Sequence, residues 1–153
     1  IYYSAKRPLR WADFQSRLRP SSNFSATVMP SIGYEQTAEM DNGIIEVKIA
    51  MKAYLPKSAS WVSSDSRTDY TLNHEQRHFD IVKIIAAQFK EKLLTAKLSP
   101  DNFEAFINMQ YLDYFRAMNA MQKAYDKETG HGTNRLAQEL WNSKIDKALA
   151  QFK

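Results

Sequence analysis

The chain of 153 residues contains no cysteine. That excludes disulfides, thiolate nucleophiles and cysteine-rich metal sites, and it fits either side of a bacterial inner membrane. No uncharged apolar run approaches the roughly 20 residues of a membrane-spanning helix, so no integral membrane segment is expected. Neither sign of charge dominates, the formal net charge being +4. Lys6, Arg7, Arg10, Arg17 and Arg19 gather near the start against a single Asp13, and this group reads as a solvated basic face. Aromatics do not interleave with these cations in any nucleic-acid-binding pattern, so no nucleic-acid partner is expected. An apolar content of 44% with 25% charged residues is ordinary for a globular protein, and one domain spanning residues 1–153 has room for a real core. Opening on Ile1 rather than methionine suits a processed chain, with any export signal expected ahead of it.

Histidine is scarce, with three in the chain, and two of them fall in His74-Glu75-Gln76-Arg77-His78. Leu72, Phe79, Val82, Ile85, Ala86, Phe89 and Leu93 recur around this motif at helical spacing, predicting a central buried helix from about Thr71 to Leu98. On such a helix positions i and i+4 share a face, so both imidazoles can close on one metal ion. Glu75 follows the first of them, where its carboxylate reaches a water on the same ion. This pattern points to a zinc-activated water with Glu75 as general base.

A catalytic zinc takes three protein ligands and keeps one position open. The third histidine, His131, lies in Thr129-Gly130-His131-Gly132-Thr133, where flanking glycines let the backbone approach closely. Asp126, Glu128 and Glu139 are the carboxylate alternatives. Tyr125 is the candidate donor to a tetrahedral oxyanion, although it also closes an apolar helix stripe. Asp80 and Asp126 are the candidate partners for the outer ring nitrogens of the ligands.

The two halves of the chain differ in period. Phe24, Ala26 and Val28 alternate with polar or small residues until Pro30, and Asp41-Asn42-Gly43 marks a turn. Beyond it Ile45, Val47, Ile49, Met51, Ala53 and Leu55 alternate cleanly, and Ser60-Trp61-Val62 suggests another short strand. In the second half, Ser99-Pro100 looks like the start of a helix carrying Phe103, Phe106, Ile107, Tyr111, Tyr114, Met118, Met121 and Tyr125. Gly130 ends it, and Thr133 is placed to cap a last helix carrying Leu136, Leu140, Trp141, Ile145, Ala148 and Leu149. The expected fold is α+β: an N-terminal antiparallel sheet packed on a C-terminal set of three helices, zincin-like, with one strand of the first half offered to a peptide backbone.

Several segments together resemble a bacterial family of exported, uncharacterised zinc-dependent proteases. Leu9-Arg10-Trp11-Ala12-Asp13-Phe14 is similar to its opening element, and Ser60-Trp61-Val62 to its strand before the motif. Leu72 to Asp80 is similar to its central signature, with Arg77 where glycine is more usual. Tyr125-Asp126-Lys127-Glu128-Thr129-Gly130-His131-Gly132 is similar to its second signature, followed by Gln138 and Trp141. The resemblance implies an envelope location and favours His131 over the carboxylates as third ligand. The resulting expectation is a zinc metallopeptidase acting on a peptide or protein substrate, with Zn2+ on His74, His78 and His131. Two other classes fit the same residues: a catalytically silent peptide-binding module on that scaffold, and a dinuclear carboxylate protein built on Glu75-x-x-His78 and Glu128-x-x-His131.

Overall fold

A computed structural model describes residues 1–21 and 23–152. Four strands precede three helices: β1 (Ala26–Thr27), β2 (Ser31–Asp41), β3 (Ile44–Tyr54), β4 (Trp61–Val62), α1 (Asp69–Thr95), α2 (Phe103–Thr129) and α3 (Arg135–Ala150). The class is α+β, as the change of period predicts. The strands, however, form two separate antiparallel pairs, β2 with β3 and β1 with β4, rather than one sheet.

The β2–β3 pair is a long hairpin in register from Ser31↔Tyr54 to Asp41↔Ile44. Its turn holds Asn42 at φ 50° and Gly43 at φ 77°. Two consecutive positive φ values match the right-handed twist of the strands they join, which is why Asn-Gly serves there. β2 goes beyond the sequence reading, because Ser31–Asp41 mixes polar and apolar residues without strict alternation. Pairing with β3 imposes its extended form.

α1 carries apolar residues on two faces and runs through the middle of the molecule, packing on β3, α2 and α3. One face sets Phe79, Val82, Ala86, Phe89 and Leu93 against Ile32, Ala53 and Leu55 of the hairpin base and Ile107 and Met118 of α2. The other sets Ile81 and Ile84 against Tyr125, Trp141 and Ile145. Burying each such side chain contributes about 1.5–3 kcal/mol. The Thr68 hydroxyl caps α1, accepting from the Thr71 amide at 3.1 Å.

Two boundaries shift from the sequence reading and one holds. α2 starts at Phe103, not at Ser99-Pro100, because the Asn102 side chain accepts from the Ser99 amide at 2.9 Å and closes a turn ahead of the helix. Gly130 ends α2 at φ 56° in the left-handed region, as expected. Asn134, not Thr133, caps α3, accepting from the Ala137 amide at 3.1 Å, while the Thr133 hydroxyl donates to the Gly130 carbonyl. On α3, Trp141 and Ile145 are buried but Leu136 and Leu140 face outward, since the apolar stripe is wider than the contact it makes.

The basic group near the start is not wholly a solvated face. Asp13 is 1% exposed and takes both Arg7 Nη atoms at 2.7 and 3.2 Å, the Arg10 amide at 3.0 Å and Lys57 Nζ at 3.1 Å. This cluster ties the N-terminal segment to the chain leaving β3. Burial alone would raise the Asp13 pKa, but the bonds from Arg7, Arg10 and Lys57 prevail and hold it at about 2. An unfolded aspartate titrates near 3.9, so this stabilisation is complete above about pH 4 and is lost as pH falls through about 2. Asp13→Asn is expected to cost about 1.5–3 kcal/mol at pH 7. Denaturant titrations of both proteins should show the gap narrowing below pH 4.

Candidate metal centre

The helix pitch does for His74 and His78 what their spacing requires. The rings lie side by side on α1 with centroids 5.1 Å apart, 5% and 9% exposed by residue. Both Nε2 atoms point at α2, whose last turns carry Asp126. Asp126 Oδ1 lies 3.2 Å from His74 Nε2 and 2.9 Å from His78 Nε2. After Gly130 reverses the chain, His131 takes φ 52° and brings its Nδ1 to 3.5 Å from the same oxygen. All three imidazoles of the chain therefore border one carboxylate oxygen.

These separations suit a divalent ion. Donors about 2.0–2.1 Å from a tetrahedral zinc lie roughly 3.3 Å from one another, close to the spacings around Asp126 Oδ1. The ligand atoms of His74, His78 and Asp126 lie within 4.8 Å of one another. His131 stands outside that mutual group. Its side chain is 43% exposed, and its ring stacks on Phe24 with centroids 4.0 Å apart. Asp126, one of the carboxylates open to the sequence reading, is the residue that joins the two histidines in a group that could hold a metal ion. The reason is positional: Asp126 projects from a rigid helix packed on α1, whereas His131 follows the glycine that breaks it.

The other two carboxylate alternatives are elsewhere. Glu128 accepts from the Trp141 indole at 2.7 Å, and Glu139 is exposed on α3. That placement also separates Glu128 from Glu75 and leaves the dinuclear arrangement without its second carboxylate.

The cluster forms the floor of a cleft of about 600 Å³. Residues 23–28, including β1, make one wall; Tyr70 and the 130–135 segment make the other. Glu75 opens into this cleft, is 4% exposed, and has no hydrogen-bond or ion-pair partner among the described residues. Burial raises its pKa, with the positive charge of His78 and His74 opposing. For Asp126 burial also acts upward, yet hydrogen bonds from His74 and His78 outweigh it and bring its pKa below the usual carboxylate range. Burial pulls His78 down, but its bond to Asp126 and the nearby Glu75 charge carry it above its ordinary value.

Tyr125 does not enter the cleft. It is fully buried behind His74, accepts from Gln138 Nε2 at 2.7 Å and donates to the His74 carbonyl at 3.1 Å. Its ring stacks on that of His74, and burial raises its pKa further. An oxyanion in the cleft is out of its reach, because its hydroxyl lies on the Nδ1 side of the imidazole. Asp80 is likewise turned away, holding Tyr3, Gln76 and Arg77. The outer nitrogens of the two histidines meet glutamines instead. His74 Nδ1 donates to Gln138 Oε1 at 2.7 Å, and His78 Nδ1 donates to Gln122 Oε1. Gln122 had a sequence signal, four residues before Asp126 and so on its helical face. Gln138 is placed by the docking of α3.

Residues 22–132 match a family described as "Bacterial protein of unknown function (DUF922)". That span covers both histidines on α1, Asp126 and His131. No curated protein and no solved structure matches the chain.

Protons and a metal ion compete for these nitrogens. Because His78 titrates above its ordinary value, divalent affinity should climb as pH rises past about 6.5 and level off once the ring is neutral. Calorimetry in buffers of differing ionisation enthalpy should register proton release on zinc binding. Asp126→Asn should weaken zinc by about tenfold or more, taking the low end known for site partners. A flat affinity from pH 6 to 8 would contradict this account of the cluster.

Proposed function

The chain belongs to this bacterial family of unknown function, and from that premise we propose that it is a zinc-dependent peptidase. The observation that carries the reading is a buried Glu75, unpartnered among the described residues, beside His74, His78 and Asp126 on the floor of an open cleft. A buried carboxylate without a protein partner is costly, and such a cost is commonly retained where a group does chemistry. Imidazole and carboxylate donors suit zinc, though not zinc alone.

In this reading His74, His78 and Asp126 hold the ion, and His131 flanks its cleft side. A bound divalent ion would polarise a carbonyl and lower the pKa of water to about 7. Glu75 takes the proton of the attacking water on its carboxylate and delivers it to the leaving amine. Its raised pKa favours both halves of that exchange, since a more basic carboxylate accepts more readily and the acid formed is stable in a dry site.

Strand geometry supports an extended peptide as substrate. β1 pairs with β4 through Ala26↔Val62 and Thr27↔Trp61, and the Ser63 amide donates to the Ser25 carbonyl at 2.9 Å. Backbone groups alternate sides along a strand, so those of Ala26 face away from β4, on the side that lines the cleft. An edge of this kind binds a peptide by adding a strand. A motif helix beneath such an edge is the zincin-like arrangement, and this is the feature that favours peptide over other substrates. The proposed place of action is the cell envelope, which rests on the family resemblance and is open to fractionation.

Glu75→Gln should retain zinc and lose turnover of a mixed peptide library by about 10²–10⁴-fold. Chelation should abolish wild-type turnover and added zinc should restore it. Zinc retained by wild type with no cleavage in any arm would favour the silent peptide-binding module. His131→Ala should lower turnover while leaving more zinc bound than Asp126→Asn does. The reverse order would return the third position to His131.

A further inference from the structure

We propose that Arg135 sets the substrate preference of the cleft by receiving a carboxylate of the bound peptide, one or two residues from the scissile bond. The proposal deepens the peptidase reading and rests on it for the peptide and its path along β1.

Arg135 is the first residue of α3, yet its guanidinium lies on another element. It sits over the ring of Tyr70 on α1, 4.2 Å from the centroid. Glu139, four residues on, stands where a helix ordinarily supplies an ion pair. No such pair forms: among the described residues no carboxylate comes within salt-bridge distance of Arg135. A cation at the opening of a helix also opposes the helix dipole, and no acid of the first turn offsets it. Neither an ion pair nor the helix accounts for this charge; the cleft that Arg135 lines does.

Two features fix where it stands. The Tyr70 hydroxyl donates to the Gly132 carbonyl at 2.5 Å, which pins the ring beside the metal centre. Tyr70 is also four residues before His74, on the same face of α1 and one turn, about 5.4 Å, toward its start. An extended peptide advances about 3.3 Å per residue. The guanidinium therefore faces substrate one or two residues from the bond held over His74 and His78.

The charges of the cleft divide by depth. Its acids, Glu75 and Asp126, lie on the floor with the histidines, and Arg135 is the one permanent cation among the described residues that line it. A substrate carboxylate is repelled at the floor and attracted at this wall. Its neighbours there, Tyr70, Thr71 and Thr133, carry no competing charge. A guanidinium offers a planar fork of donors that fits a carboxylate with two parallel bonds. The contact with the face of Tyr70 uses none of those donors. The carboxylate has two sources, an acidic side chain within the peptide or its C-terminus, and both present the same group.

The test scans a neutral, end-blocked octapeptide, replacing one residue at a time by glutamate or glutamine, and adds a neutral version with a free C-terminal carboxylate. Binding is read by fluorescence anisotropy on zinc-loaded Glu75→Gln protein, and cleavage on wild type. Glutamate at one position near the bond, or the free terminus, should bind about tenfold tighter than its uncharged counterpart. The first result assigns a side chain and the second a terminus. Arg135→Gln should remove that discrimination. Arg135→Glu should reverse it in favour of lysine at the same position, a switch that a merely structural role for Arg135 does not produce. Arg135 is exposed, so both variants are expected to fold. Peptides bound or cut without regard to charge, a preference that survives Arg135→Gln, or no peptide bound at all would overturn the proposal. A charge preference in binding with no cleavage by wild type would count against the peptidase reading and leave this assignment standing.

Discussion

Asp126 Oδ1 is the point on which the candidate site of this protein converges. It stands within 3.5 Å of ring nitrogens from His74, His78 and His131, two of them on α1 and one beyond the end of α2. No local rule brings these residues together. Their meeting depends on how α2 lies along α1, and that contact is made by side chains well outside the site. Phe89 with Tyr114, and Met118 within the same core, lock the helices in register. A slip of one residue along either axis is about 1.5 Å, enough to take a carboxylate oxygen out of reach of both rings. The core is therefore a positioning device as much as a source of stability.

The fold accepts costs at this place. Among the described residues Glu75 is buried without a partner, and two histidines are buried beside it. Elsewhere the buried charges are well supplied: Asp13 has four donors, and Asp80 is met by Tyr3, Gln76 and Arg77. The contrast distinguishes groups that hold the structure from the one on which the proposed chemistry rests. Polar satisfaction around the site is also graded. The outer nitrogens of the histidines are fully bonded to Gln138 and Gln122, while the inner nitrogens share a single acceptor. Rings braced from behind and underprovided in front suit ion binding.

Much of the architecture was legible because it follows local periods. The alternation from Ile45 to Leu55 and the Asn42-Gly43 turn specify a hairpin, and the apolar stripes specify three helices. The central motif was legible for the same reason, since i, i+4 places His74 and His78 on one face whatever surrounds them. Other features were hidden. The strands divide into two pairs, β1 with β4 and β2 with β3, a matter of how the chain between them packs. Tyr125 shares the last turns of α2 with Asp126, yet the two face opposite sides of His74. Neighbours in sequence on a helix diverge by about 100°, and without the partner helix either can be taken as the one that faces the cleft.

What the chain order determined by itself was the set of local shapes and the pair of imidazoles on one helical face, because pitch and pleat act over a few residues. What only the tertiary structure decided was which distant groups meet that pair: Asp126 inside, His131 at the margin, and Gln138 and Gln122 behind. Those meetings are set by the approach of whole helices to one another, and that approach is a property of the packed core rather than of any segment within it.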